Sequence, residues 1–179
     1  MLGLALKEAE NGLLPKVFTF SPDTVLRKKS GAGGYIYDHL HKLYLLEEYG
    51  GVSSADFKVV KAFTGEDFAR QYLRDTLNAA VVCCGADFRF GRGASCGADE
   101  LRRFGEKYGF TVKIAEDVQI DGVTVSSGEI RKRLLEGDIS GANRLLGKPY
   151  TIRKEVVHGA QLGRTIGFPT INQVFGEGQ

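Results

Sequence analysis

Four short runs rich in β-branched and aromatic residues, at 17–20, 57–63, 80–84 and 110–115, are spaced by segments long enough to be helices. That alternation limits the fold, because neighbouring parallel strands need a crossover of about a dozen residues, usually a helix, which then covers a face of the sheet. The intervening segments carry helix signals. Leu40, Leu43 and Leu46 recur at helical spacing within 37–49, with Gly50-Gly51 as the stop. Thr64 with Asp67 resembles a helix-opening capping box, and Phe68, Tyr72 and Leu73 mark an inner face. A third helix is expected over 99–108, and Leu2, Leu4, Ala5, Leu6 and Ala9 suit a buried helix stopped by Asn11-Gly12. The predicted class is α/β with a parallel sheet. Ligands of such sheets bind beyond the carboxyl ends of the strands, which directs attention to the loops after Phe20, Cys84 and Val125. The first of these is basic and glycine-rich.

Beyond Gly147-Lys148-Pro149 the helical period stops, and Tyr150 to Val157 alternates like an antiparallel strand. The expected units are therefore 1–147 and 148–179. Twenty-four Lys and Arg against 22 Asp and Glu leave a net charge of +2, with both signs interspersed. That balance argues against a dedicated nucleic-acid or membrane-surface binder. No apolar run approaches the ~20 residues of a membrane span. The adjacent Cys83-Cys84 pair suits no disulfide framework, and Cys96 has no metal-type partner spacing, so the protein reads as cytoplasmic and reduced. Oligomeric state stays open.

Three motifs could carry chemistry. In 125–131, V-S-S-G-E-I-R, a β-type run passes directly into a helix. Ser126 and Ser127 at its start, with Arg131 one turn in, would make a phosphate cradle; the plain alternative is an N-cap on Ser126 with Glu129 completing the box. In 85–93 the loop G-A-D-F-R-F-G-R-G offers two aromatics and two arginines for a planar ring and phosphate oxygens, or else Phe88 and Phe90 plug the core. In 163–172, G-R-T-I-G-F-P-T-I-N, Gly163 and Gly167 permit close backbone approach and Arg164 supplies a fork of donors. Thr170 and Asn172, two apart on an extended segment, would present oxygens to a hard cation; the alternative is an ordinary hairpin. His39 and His41 do not face one another on a helix and are expected at the surface, and His158 reads as a turn residue. None of them has zinc-site spacing.

Taken in order, these motifs resemble the prokaryotic bifunctional riboflavin kinase/FMN adenylyltransferase, or FAD synthetase, family. Thr19-Phe20-Ser21-Pro22 is similar to its Thr-Phe-x-Pro element, 85–91 to its G-x-D-F-x-F-G loop, and 126–131 to its S-S-T-x-I-R motif. Residues 147–150 resemble the linker into the kinase, and 163–172 its G-R-x-x-G-F-P-T-A-N signature. The resemblance implies a Rossmann-like nucleotidyltransferase domain followed by the first strands of an incomplete antiparallel riboflavin kinase β-barrel. It implies phosphorylation of riboflavin by ATP, then transfer of AMP from a second ATP to FMN, giving FAD and pyrophosphate, with Mg²⁺ as the metal. By the same resemblance Ser126, Ser127 and Arg131 would hold ATP phosphates, and Asp87, Phe88, Arg89 and Phe90 would border the flavin. Gly163, Arg164 and Gly167 would form the kinase's nucleotide edge, and Thr170 with Asn172 would bind Mg²⁺-ATP. The partners would be small molecules: ATP, riboflavin and FMN.

Departures temper this. The family's G-x-F-D-G-x-H-x-G-H loop is not found in the sequence, Gly128 stands where the serine motif has Thr, and Ile171 replaces the Ala of P-T-A-N. The expectation is a truncated enzyme that binds nucleotide or flavin and lacks both complete active sites. The rivals are another adenylyltransferase of the same superfamily and a flavin- or nucleotide-binding module that never catalysed.

Overall fold

The computed structural model describes residues 1–21 and 34–175. The basic loop predicted after Phe20, with Pro22, lies outside them. The chain begins with helix α1 (Leu2–Ala9) and strand β1 (Lys16–Phe20), then resumes through α2 (His39–Glu47) into β2 (Gly51–Ala55). β1 and β2 are parallel, Val17 opposite Val52 and Phe20 opposite Ala55. A second parallel pair joins β3 (Val81–Gly85) to β4 (Thr111–Ala115), Val82 opposite Val112, with helix α5 (Ala98–Tyr108) as crossover. The predicted parallel α/β arrangement is present as these two pairs, which are not hydrogen-bonded to each other.

One predicted strand is wrong. Residues 57–60 form the short helix α3 (Phe57–Val60), and the partner of β1 is the preceding G-V-S-S-A segment. The Asp56 carboxylate accepts from the Lys58 N–H at 2.8 Å, opening a helix where Val59-Val60 suggested a strand. Phe57, Val60 and Phe63 recur every three residues, which is a helical spacing. On it Phe57 packs edge-on against Phe20, Val60 is buried and Phe63 lies near Tyr72.

Thr64 caps the next helix as predicted, accepting from the Asp67 N–H at 3.1 Å. One α turn, α4 (Gly65–Asp67), then widens into a π-helical segment (Phe68–Thr76), in which Leu77 N–H reaches back five residues to the Tyr72 carbonyl. This segment supplies the centre of the core: Phe68, Ala69 and Leu73 are buried with Cys84, Phe90, Leu101 and Phe110, and Phe18 and Phe20 pack against them. Gly65 is required where it stands, because a Cβ there would lie 2.2 Å from Cys96 Sγ.

After β4 a two-residue hairpin, β5 (Gln119–Ile120) and β6 (Val123–Thr124), leads to α6 (Ser127–Leu135) and α7 (Ile139–Leu146). Gly147 closes α7 in the left-handed conformation that glycine tolerates, at φ 70°. Beyond it the predicted strand over 150–157 contracts to β7 (Val156–Val157), paired antiparallel with β8 (Asn172–Gln173) across the short helix α8 (Leu162–Thr165). The N-terminal helix is half-buried rather than buried, since none of its residues is enclosed.

Candidate functional site

Ser126 is the N-cap of α6, in extended conformation, and its Oγ accepts from the Glu129 N–H at 3.1 Å. The capping reading therefore holds, but Glu129 does not close the box: its carboxylate takes Arg133 Nε at 3.1 Å. Capping does not use up the groups an anion would need. A serine hydroxyl accepts with a lone pair and keeps its proton to donate, and the first N–H groups of a helix, here those of Ser127 and Gly128, have no acceptor within it. Ser126, Ser127 and Gly128 are all exposed. Gly128 contributes backbone to this turn without a hydroxyl. Arg131, one turn in, donates from Nε to the Gly34 carbonyl at 2.8 Å, so the serine motif is tied to the segment that enters α2.

That segment and α2 carry several anchored polar groups, one of which reaches the carboxyl end of β1. Asp38 caps α2 by accepting from the His41 N–H at 2.8 Å, and its other oxygen takes Lys154 Nζ at 2.8 Å. Burial alone would raise the Asp38 carboxyl, but the hydrogen bonds from His41 and Lys154 outweigh it and hold the group below its ordinary range. His41, expected at the surface, is 5% exposed and lies edge-on to Tyr37. Its burial, with the charges of Arg153, Lys148 and Lys154 against that of Asp38, keeps the imidazole neutral to lower pH than usual. From the same helix Lys42 Nζ donates to Thr19 Oγ1 at 3.0 Å and to the Phe20 carbonyl at 3.4 Å. Nothing local in the sequence singles out Lys42, whose partners lie more than twenty positions earlier in the chain.

The loop after β3 divides its predicted residues. Phe90 is buried, stacks on Phe88 at 5.5 Å and contacts Phe68 and Phe104, and its backbone exchanges two hydrogen bonds with Cys96. Phe90 thus plugs the core. Asp87 and Arg89 are exposed and Phe88 is half-buried, leaving one polar and one aromatic face outward. In the third motif the Phe168 N–H donates to the Gly163 carbonyl at 2.8 Å, and Gly167 adopts φ 81°. A Cβ at Gly163 would meet the Phe168 carbonyl at 2.3 Å and Thr170 Oγ1 at 3.2 Å, while one at Gly159 would meet Asn172 Nδ2 at 2.4 Å. The turn depends on both glycines, and Thr170 and Asn172 rest against different ones. Arg164 is exposed. No hydrogen bond among the described residues joins the three motifs directly; Arg131 and Gly34 supply the link between the serine motif and the α2 region.

A cavity of about 50 Å³ lies between Tyr37, Asp38, His41, Tyr150, Thr151 and Lys154. Sites for drug-sized ligands run from about 300 Å³ upward, so this is a packing gap at the junction of 148–154 with α2.

Parallel strand pairs with helical connections make this an α/β domain, an architecture consistent with a nucleotidyltransferase domain. The FAD synthetase family model matches residues 2–129, and the riboflavin kinase model matches 146–178. The chain belongs to the FAD synthetase family. It is similar to the bifunctional riboflavin kinase/FMN adenylyltransferases of Escherichia coli K12, with 39% identity over 62% of the chain and 36% of the relative. With that of Pseudomonas fluorescens it shares 34% identity over 88% and 49%, respectively. The chain spans about half the length, or less, of these curated relatives. A solved structure titled a macrolide-efflux protein from Streptococcus pneumoniae superposes with a TM-score of 0.75 and 27% identity, over 97% of this chain and 58% of that one. Efflux is said there of that protein; among the described residues of this chain no helix is long and apolar enough to cross a membrane.

Proposed function

We propose that the chain handles ATP and FMN in FAD formation, as part of an enzyme that also phosphorylates riboflavin. The observation that carries this is the exposed, serine-capped opening of α6 with Arg131 one turn in, at the end of the stretch that the FAD synthetase model matches. Ser126, Ser127 and Arg131 hold the ATP phosphates. Asp87, Phe88 and Arg89 border the flavin, with Phe90 as the core anchor of their loop. A phosphate oxygen of FMN attacks the α-phosphorus of ATP, the bond to pyrophosphate breaks, and no protein nucleophile takes part. The protein's contribution is alignment and charge neutralisation.

Residues 1–147 form the adenylyltransferase unit and 148–179 open the riboflavin kinase barrel. Gly163, Arg164 and Gly167 make the kinase's nucleotide edge, and Thr170 with Asn172 present oxygens to Mg²⁺, whose preference for hard oxygen ligands they suit. The sequence holds no G-x-F-D-G-x-H-x-G-H segment, and our reading is that this chain by itself binds nucleotide or flavin and turns over neither reaction. Incubation with ATP, Mg²⁺ and either FMN or riboflavin, followed by chromatography of the flavins, tests the last point: FAD or FMN formed in proportion to protein would overturn it. Titration of FMN fluorescence and calorimetry with ATP test the reading itself, and no binding of either at millimolar concentration would sink it.

A further inference from the structure

Lys42 is half-buried, and its Nζ touches two neutral acceptors, Thr19 Oγ1 and the Phe20 carbonyl, at the carboxyl end of β1. Among the described residues no carboxylate pairs with it. An ammonium has three protons to donate, and two are engaged. A partly desolvated cation without an anion is costly, and proteins place such groups where a ligand supplies the missing charge. The position fits that role. The carboxyl edge of a parallel strand pair is where ligands of α/β sheets lie. The segment that leads into α2 is itself tied to the serine motif, because Arg131 donates to the Gly34 carbonyl, eight residues before Lys42 in the chain. Burial weakens the hold of Lys42 on its proton, in keeping with a cation that lacks a compensating charge.

We propose that Lys42 binds a phosphoryl oxygen of the site's ligand. The assignment rests on the nucleotide and flavin reading above. A phosphoryl group could come from FMN or from ATP, and paired ligands distinguish the two. Affinities of the full chain for FMN, riboflavin, ATP and adenosine are measured for wild type, Lys42→Met and Lys42→Arg. The expected result is a loss of about tenfold for FMN or for ATP in Lys42→Met, with its unphosphorylated counterpart unchanged and most of the loss recovered in Lys42→Arg, in line with a hydrogen bond between charged groups. Equal changes for both members of each pair, or no change, would make Lys42 a clamp on Thr19 and Phe20 only and overturn the proposal while leaving the flavin reading standing. Binding of none of the four ligands overturns both. Acetylation of Lys42 in the wild-type chain, followed by mass spectrometry, gives a measurement independent of the variants. FMN or ATP, but neither riboflavin nor adenosine, should slow it; equal rates with all four ligands overturn the proposal even where Lys42→Met does not fold.

Discussion

Ser126 stands at once in the scaffold and in the proposed site. Its Oγ holds the Glu129 N–H, so Ser126→Ala should destabilise the chain by about 1 kcal/mol, the usual cost of a lost N-cap, seen as a lower thermal midpoint. ATP affinity should fall in the same variant, because the hydroxyl proton is lost with the oxygen. Ser127 separates the two contributions: it lies inside the helix and caps nothing, so Ser127→Ala should weaken ATP binding and leave the unfolding free energy within about 0.5 kcal/mol of wild type. The cap on Ser126 was legible in the sequence because a serine at the end of an extended run, just before a helical pattern, is a local helix-opening signal. Lys42 was not legible, because its meaning comes from Thr19 and Phe20, more than twenty positions away, and only the parallel pairing of β1 with β2 brings α2 over them.

Elements were legible where local pattern and tertiary partner agreed. β1, β3, β4, α5 and the capped opening at Thr64 fall within a residue or two of expectation. β2 was missed because Gly51-Val52-Ser53-Ser54-Ala55 has a weak apolar signal and owes its extended form to residue-by-residue pairing with β1. The π-helical character of 68–76 has no sequence signature, since its inner-face residues read equally well at α-helical spacing. A wide helix of this kind holds one residue more than an α-helix of the same rise needs. Removing exposed Asp75 should therefore let the segment close into an α-helix, and urea denaturation should show a loss of about 1 kcal/mol or less. Removing exposed Glu106 from the regular helix α5, which carries buried Leu101 and Gly105, should cost more than about 3 kcal/mol, the range of changes that dislocate a core.

At the scale of the whole molecule, residues 148–154 are held to α2 and the segment entering it by two partly buried hydrogen bonds and a surface contact: Tyr150 Oη to the Ile36 carbonyl at 3.0 Å, Lys154 to Asp38, and Arg153 over the Tyr44 ring at 4.1 Å. This junction makes stability depend on acid in two windows. His41 and His39 both hold protons less tightly than the ordinary value of 6.5, chiefly through burial, so the unfolded chain binds more protons. Their stability contribution is complete above about pH 6.5 and declines as the pH falls from there. The depressed carboxyl of Asp38 acts lower, its contribution being lost only as the pH drops below 3.8 through the folded value. Thermal midpoints measured from pH 7 to pH 3 should thus fall in two stages, and His39→Gln with His41→Gln should flatten the first while leaving the second. An unchanged first stage would show that other groups govern it.

The centre of the fold also carries its own timekeeper. Cys84, in the middle of the core and 4% exposed, has a thiol that burial makes reluctant to ionise, whereas Cys83 and Cys96 are half-buried. A thiol reagent can reach Cys84 only while β3 and the packing around it are open, so its rate of modification counts those openings. Mass spectrometry of the labelled chain should find Cys84 modified last, at a rate that any tightly bound ligand slows. The labelled fraction of the population would then record, as a covalent mark, how often the core comes apart.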